Sequence, residues 1–234
     1  IVLGIARDNG NAQSSSSQQQ ETQQVGAELK KTIFERDDYT CRFCGFRSRK
    51  YQEIVRLNNA GGLREDNLVT ACIYCHQCFH LDMVTEMRSG VLIWLPEIPQ
   101  YKLHHIARAI YVARISQGQM ADAARQALDT LMQRRESVRN RIHTDDPYVL
   151  STVLRDYLTR KYYAQREEKL DGVRLFPLDR RLIREAELEF NQFPQILAYW
   201  RSKDGPFGGK VPTSWLDIYK DILVESGQEH SAAG

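Results

Sequence analysis

Two closely spaced cysteine pairs constrain this chain of 234 residues more than any other feature. Each pair has the form C-x2-C, Cys41 with Cys44 and Cys72 with Cys75, and 27 residues separate the pairs. Four thiolates with this spacing close a tetrahedron around one zinc ion, and a closed tetrahedron leaves no position for a water or a substrate. We therefore predict a structural zinc centre. The alternative is a group of buried or redox-active thiols whose spacing is coincidental.

All five cysteines fall within residues 41–78, which is typical of a metal site in a reducing compartment and not of a disulfide framework. Three further candidates follow the second pair: His76, Cys78 and His80. Cys78 could replace Cys75 as a ligand, but a knuckle normally uses the closest pair, so we expect a buried or free thiol. His76 and His80 share a helix face; they would hold a second metal in a nuclease and are otherwise expected at the surface.

The charge and hydropathy of the chain leave its partner open. The 32 basic and 30 acidic residues nearly cancel, so there is no strong positive field of the kind that wraps nucleic acid. We find no run of about 18 apolar residues and no signal peptide at the start of the sequence. These observations predict a cytoplasmic protein that does not insert into a membrane.

The periodicity of the sequence predicts an α+β protein in three parts. Residues 1–24 comprise an apolar segment that could form a short strand and a flexible tether rich in Gln and Ser, so the folded part should begin near Val25. Residues 25–98 should form the zinc-binding module and residues 99–234 a helical domain.

Within these parts we predict individual elements from apolar spacing and turn signals. An amphipathic helix should lead to Arg36, strands should cover Tyr51–Leu57, Asn67–Tyr74 and part of Gly90–Pro99, and two helices of four to five turns should cover 103–115 and 120–141. A third helix should begin at Asp146-Pro147 and bury Val149, Val153, Leu154, Tyr157 and Leu158. A fourth should begin at Asp179, Trp200 should be a core residue, and a last helix should cover Trp215–Leu223.

The strings CRFCGF and NAGGLREDNLVTACIYCH resemble the HNH nuclease family, in which two zinc knuckles frame a ββα-metal hairpin. In that family a histidine on the first strand deprotonates the attacking water, and a final histidine helps to hold the catalytic metal. Alignment on Gly61-Gly62 and Asn67 places Glu53 and Ile54 where the family has its Asp-His pair, while His76 keeps the place of the final histidine. Isoleucine cannot accept a proton, so we expect no catalytic residue and no nuclease activity.

A narrower resemblance is carried by DDYTCRFCGFRSRKYQEIV, NLVTACIYCHQCF, LIWLPEI and DDPYVL, which are similar to the DotN (IcmJ) family of Dot/Icm, type IVB, secretion and conjugation systems. The likeness covers roughly residues 28–157. It implies a non-catalytic, HNH-like zinc subunit of the type IV coupling complex, peripheral to the inner membrane. Its implied partners are the C-terminal extension of the coupling ATPase DotL and other subunits of the complex.

The surface expected to receive a partner is the extended arm with Leu92, Trp94 and Leu95, since prolines follow it and its side chains are large and apolar. The alternative is that these residues seal the zinc module against the helices. A second candidate surface is the basic run 133–141, which would suit an acidic partner but is otherwise a solvated helix end.

Two other functions remain open at this point. One is an active nuclease that uses Asn67, His76 and either Glu53 or His80. The other is a nucleic-acid-binding finger whose basic residues contact phosphates, namely Arg42, Arg47, Arg49 and Lys50.

Overall fold

A computed structural model describes residues 1–5, 25–58, 62–185 and 187–210, together with the backbone of residues 7–8 and 11–12. Residues 13–24 of the expected tether lie outside the described residues. The expected helix Trp215–Leu223 lies outside them as well.

The described chain mixes helices with small antiparallel sheets, which confirms the α+β prediction. The strands are β1 Arg7–Asp8, β2 Asn11–Ala12, β3 Gln52–Arg56, β4 Leu68–Cys72, β5 Gly90–Trp94, β6 Val173–Pro177, β7 Leu182–Glu185 and β8 Leu188–Asn191, paired β1 with β2, β3 with β4, β5 with β6 and β7 with β8. The helices are α1 Ala27–Arg36, α2 Ile73–Phe79, α3 Leu81–Met87, α4 Gln100–Arg114, α5 Gln119–Ile142, α6 Pro147–Thr152, α7 Arg160–Ala164, α8 Arg166–Lys169 and α9 Phe193–Arg201. A 3-10 turn covers Glu65–Asn67 and a π-helical turn Val153–Tyr157.

The first helix and the hairpin β3–β4 form the frame around the cysteines, as predicted. On α1 the fully buried Ile33 packs in a small core with Ile54 and Leu68 of the hairpin. The register pairs Glu53 with Ala71 and Ile54 with Thr70. These contacts place the end of β4, which carries Cys72, beside the loop that carries the first cysteine pair.

The two central helices α4 and α5 confirm the predicted helical segments, although α5 is longer than expected at 24 residues. Buried side chains of α4, α5, β5 and α9 join those of the cysteine hairpin in one apolar cluster. Trp200 on α9 is only 1% exposed within it, which confirms its predicted place in the core. The face of the hairpin that carries the cysteines therefore packs directly on α4, while its other face packs on α1.

The fourth predicted helix is wrong, because the segment after Asp179 forms the hairpin β7–β8. Its Arg, Glu, Ala and Leu residues favour a helix locally, but cross-strand contacts override that preference. Ile183 pairs with Phe190, and Arg184 forms a salt bridge of 3.3 Å with Glu189 on the facing strand. Pro194 then lies in the first turn of α9, where a proline is tolerated.

The third predicted helix begins where expected, but its predicted buried face is mostly wrong. The Asp146 carboxylate accepts a hydrogen bond of 2.8 Å from the Tyr148 N–H and caps α6. Leu150 and Leu154 are buried, whereas Tyr157 is 76% exposed. Val149 and Val153 are exposed too. Apolar residues occupy two adjacent stripes of this segment, and packing against α3 buries only one of them.

The first residues of the chain correct the expectation that folding begins near Val25. Leu3 and Ile5 are buried in a second apolar cluster, which also contains Cys78. The segment forms no strand, yet the Gly4 N–H donates to the Cys78 carbonyl at 2.8 Å and the Gly4 carbonyl accepts from the Leu81 N–H at 3.1 Å. These bonds fasten residues 1–5 across the junction of α2 and α3.

The turn before β6 depends on one glycine, and we predict that Gly172→Ala will be strongly destabilising. Gly172 has a φ of +80°, and a Cβ there would clash with the Trp94 ring. Left-handed strain of roughly 1 kcal/mol adds to overpacking of about 1–3 kcal/mol. Denaturant unfolding should show this loss, with Gly26→Ala as the control because nothing lies within 4 Å of its added Cβ. Equal stabilities of the two variants would contradict the prediction.

Candidate metal centre

The four cysteines of the two pairs meet at one point. Their Sγ atoms, from Cys41, Cys44, Cys72 and Cys75, all lie within 4.8 Å of one another. Within the part of the chain that the structure describes, no other group of three or more His, Cys, Asp or Glu residues converges in this way. The Sγ atoms of Cys44 and Cys72 are 3.7 Å apart. A zinc–thiolate tetrahedron with bonds of about 2.3 Å has sulfur–sulfur edges of about 3.8 Å, so the donor set fits such an ion.

Local backbone structure explains how each pair presents its sulfurs. The first pair lies in a turn closed by hydrogen bonds from the Gly45 N–H to the Cys41 carbonyl and from the Cys41 N–H to the Phe46 carbonyl, each 2.9 Å long. Gly45 has a φ of +72°, which a glycine adopts at no steric cost. In the second pair, Cys72 ends β4 and caps α2, and its Sγ accepts from the Cys75 N–H at 3.4 Å.

The electrostatics of the cluster suit a bound cation. Burial raises the pKa of the Cys72 thiol, while hydrogen bonds from the neighbouring thiols lower the pKa of Cys44. Four sulfurs this close cannot all carry negative charge without a compensating ion. A divalent metal removes the conflict because it binds the deprotonated form of each thiol.

Arg108 on α4 places a positive charge beside the sulfurs, and the sequence did not indicate it. Its side chain is fully buried, and its Nη2 atom lies 2.6 Å from the Cys72 Sγ and 3.9 Å from the Cys44 Sγ. The guanidinium stacks at 4.0 Å from the ring centre of Phe46 and 4.9 Å from that of Tyr74. Arg108 has apolar neighbours on both sides of it in the sequence of a predicted helix. This pattern could have indicated that the arginine is buried.

Two histidines of α4 also touch the cysteine cluster and were missed. The His104 Nδ1 atom lies 3.2 Å from the Cys75 Sγ, and the His105 Nε2–H donates to the Cys44 carbonyl at 2.7 Å. Burial lowers the pKa of His104 to about 3, and the Arg108 charge acts in the same direction. His104 is therefore a neutral imidazole at neutral pH.

The three candidates beyond the second pair take no part in the cluster. Cys78 is fully buried and donates to the Tyr74 carbonyl at 3.5 Å, in line with the expectation of a buried thiol. The expectation of a surface position is wrong for His76, which is 3% exposed, because α2 packs in the core. Burial lowers the pKa of His76 to about 3, helped by the charge of Arg181. His76 and His80 stack with ring centres 4.3 Å apart.

The side chains at the positions aligned with the nuclease motif make their contacts within the protein. Ile54 is buried against α1. The Asn67 amide donates to the carbonyls of Asn58 at 2.6 Å and Gly62 at 2.8 Å, and its oxygen accepts from the Asn58 N–H, so it clasps the loop between β3 and β4. The Glu53 carboxylate forms a salt bridge of 2.8 Å with Arg181, which lies 128 positions later in the chain.

The apolar arm expected to meet a partner is mostly covered. Leu92 and Leu95 are fully buried, as the alternative of an internal seal requires. Trp94 is partly buried, and the Arg141 guanidinium lies 3.8 Å from its ring centre.

The arginines of the basic run at the end of α5 are also engaged. Arg134 pairs with Glu97, while Arg135 and Arg139 share Asp145.

The basic residues of the finger hypothesis have mixed surroundings. Arg42 is exposed, and Arg47 forms an exposed salt bridge with Asp38 at 2.6 Å. Arg49 and Lys50 lie over the rings of Tyr39 and Tyr199 at 5.8 and 5.3 Å. Among the described residues, none of the helices has both the length and the apolar character that crossing a membrane requires.

Comparison with known proteins identifies a relative of this chain. No protein-family model matches the chain. A protein of Legionella pneumophila, the type 4 apparatus protein DotN, is 33% identical to it over 150 residues, which covers 62% of this chain and 70% of that protein. The chain belongs to the DotN family. Identity at this level over most of DotN confirms the family resemblance drawn from the sequence strings.

Proposed function

We propose that this member of the DotN family is a non-catalytic subunit of a Dot/Icm type IV secretion or related conjugation apparatus, stabilised by one zinc ion. We further propose that it works in the coupling complex at the inner membrane, where it binds the C-terminal extension of the coupling ATPase. The kinship with DotN carries the first part of the proposal. The donor chemistry of the four cysteines supports zinc as the metal.

A structural role for the metal follows from its ligands. Four thiolates fill all positions of a tetrahedral ion, so the ion would neither activate a water nor polarise a phosphate. Bound zinc would cross-link the turn after α1 to the end of β4. The residues Cys41, Cys44, Cys72 and Cys75 would hold it, and α4 would pack against the cross-linked hairpin.

The absence of nuclease activity is supported by what the motif positions now do. The side chain at position 54 is an apolar core residue, so it cannot take a proton from water. Asn67 uses its amide to clasp a loop. Arg181 forms a salt bridge with Glu53, the carboxylate that would otherwise be available to a divalent ion. Burial lowers the pKa of His76, and the charge of Arg181 lowers it further.

The proposed partner is tested by co-purification. The tagged protein should retain the C-terminal extension of the coupling ATPase from the same secretion system at near one-to-one stoichiometry, because an adaptor must form a stable complex with its partner. Size-exclusion chromatography with light scattering measures the stoichiometry. Trp94→Ala tests the arm and Tyr157→Ala tests the exposed end of the π-helical turn. Metal-loaded, folded protein that fails to bind the extension would contradict the proposed partner.

The non-catalytic assignment is tested with plasmid DNA and magnesium or manganese. We expect no nicking above the level of a buffer control, because no base occupies position 54. Loss of a general base alone is expected to cost about a hundredfold to ten-thousandfold in rate. Metal-dependent nicking that disappears in His76→Ala would overturn the assignment. DNA binding that weakens steeply with salt would instead favour the finger hypothesis.

A further inference from the structure

Three polar side chains follow one stripe of α4, at intervals of four residues, on the side that faces the cysteine cluster. Gln100 is 4% exposed, and His104 and Arg108 are fully buried. Residues spaced in this way stack one above the other along a helix. Buried polar groups need partners, so each of the three must find one inside the protein. The partner of Arg108 is the Cys72 sulfur, as described above.

Gln100 is oriented by strand β6. Its Oε1 atom accepts a hydrogen bond of 2.9 Å from the Leu175 N–H, and its Nε2 atom donates to the Leu175 carbonyl at 2.8 Å. A backbone N–H can only donate and a carbonyl can only accept, so these two bonds assign oxygen and nitrogen in the Gln100 amide. The second hydrogen on Nε2 is left to point elsewhere.

The second Nε2 hydrogen of Gln100 shows which nitrogen of His104 carries the imidazole proton. The Gln100 Nε2 atom lies 2.8 Å from the His104 Nε2 atom, and an amide nitrogen is a donor. The His104 Nε2 atom must therefore accept, which places the imidazole proton on Nδ1. The Cys78 Sγ also lies 3.6 Å from Nε2, but this thiol has a carbonyl acceptor at Tyr74. The protonated Nδ1 faces the Cys75 Sγ at 3.2 Å.

We propose that His104 is a positioning residue of the metal centre, which donates an Nδ1–H hydrogen bond to the Cys75 thiolate in a tautomer held by Gln100. A hydrogen bond to a metal-bound thiolate withdraws charge from the sulfur and fixes its direction. The hydrogen bonds from Leu175 through Gln100 and His104 to Cys75 form a relay, which connects the centre to the sheet β5–β6. This inference rests on the zinc assignment proposed above.

Two substitutions separate a hydrogen-bonding role from a packing role. His104→Asn places an amide N–H near the former Nδ1 position, whereas His104→Leu fills the space with a side chain that has no donor. We expect zinc affinity, measured in competition with a chromophoric chelator, to fall about 10- to 100-fold in His104→Leu. His104→Asn should stay within about threefold of the wild type, since one donor to a ligand is retained.

Cobalt in place of zinc provides a readout that packing alone would not move. Loss of the hydrogen bond raises the energy of the sulfur lone pairs, so the sulfur-to-cobalt charge-transfer bands should shift to lower energy in His104→Leu but not in His104→Asn. Gln100→Leu should produce a smaller shift in the same direction. In a double-mutant cycle, Gln100→Leu should have no further effect on affinity once residue 104 is leucine.

The possible outcomes distinguish this inference from the zinc assignment. Wild-type protein that binds no zinc would refute the assignment and, with it, the inference. Wild-type protein with one zinc, together with a His104→Leu variant of unchanged affinity and unchanged bands, would overturn the inference alone. Equal losses in the Asn and Leu variants would also overturn it, because packing would then account for both. If His104→Leu does not fold, the bands of Gln100→Leu decide: a shift to lower energy supports the relay, and wild-type bands overturn it.

Discussion

Removal of the metal is expected to unfold the cysteine hairpin and to loosen the helices that pack on it. In Cys72→Ser the centre loses one of its four ligands, and a structural zinc contributes on the order of 10 kcal/mol of apparent free energy at neutral pH. Because that is comparable to the whole stability of a typical domain, no folded hairpin should remain. The loss should spread to Trp200, which packs in the same core as the four cysteines. Thermal unfolding followed by circular dichroism and tryptophan fluorescence, with zinc content from mass spectrometry, would measure it.

A matched control for Cys72→Ser exists in α2, the short helix that Cys72 caps. Cys78 is as buried as Cys72, but its sulfur does not belong to the cluster. Cys78→Ser should therefore keep one zinc per chain and lose only about 1 kcal/mol, since a serine hydroxyl can still donate to the Tyr74 carbonyl. Chelation of the wild type should reproduce the Cys72→Ser phenotype. A Cys72→Ser variant with wild-type melting temperature and metal content would contradict the metal assignment.

The second large effect is expected from Arg108→Met. A zinc ion with four thiolates carries a net charge of about −2, and the Arg108 guanidinium beside Cys72 reduces this to about −1. Methionine fills the space but leaves the buried negative charge uncompensated, which typically costs about 3–5 kcal/mol. The stacking on Phe46 is lost as well. Denaturant unfolding of zinc-loaded protein measures the change.

Arg108→Lys is the informative companion of that substitution. Lysine keeps the positive charge but not the planar group that lies between aromatic rings, so its stability should fall between those of the wild type and Arg108→Met. Salt should not rescue either variant, because the site is buried and screening is weak there. An Arg108→Met variant as stable as the wild type would show that the guanidinium does not compensate the thiolates.

The side chains around the hairpin make their contacts within the protein. On one side the sulfurs face donors of α4, namely Arg108 and His104. On the other side Ile54 is closed off by α1. Glu53 is tied to Arg181 at the start of the β7–β8 hairpin. Each of these contacts joins the hairpin to another element of the fold.

Several features could be predicted because they depend on residues close together in the chain. A C-x2-C pair can turn both sulfurs to one point through a few local hydrogen bonds, so spacing alone indicated the cluster at Cys41, Cys44, Cys72 and Cys75. The cap at Asp146 is equally local, because its carboxylate reaches an N–H two residues away. The helical periods of α4 and α5 were also visible, since each is a repeat of side chains along one element.

The features that could not be predicted depend on residues far apart in the chain. Residues 182–191 have helical propensity, and only pairing between strands makes them a hairpin. The exposed positions of Val149 and Tyr157 depend on which stripe of the helix meets α3. The burial of Leu92 and Leu95, which the sequence left open, depends on β6, which arrives about 80 positions later in the chain. In each case the deciding contact is with a distant segment.

By itself the sequence indicated the cluster of four cysteines, the strand and helix periods around it and the absence of a proton acceptor at position 54. Only the tertiary structure decided which groups surround the sulfurs, because a buried cation and a histidine tautomer are set by the burial and hydrogen-bond geometry of their site. Arg108 and His104 lie 36 and 29 positions from the cysteines they contact, and Gln100 lies 75 from the strand that orients it. No local pattern encodes such distances, since they arise only when separate elements pack together.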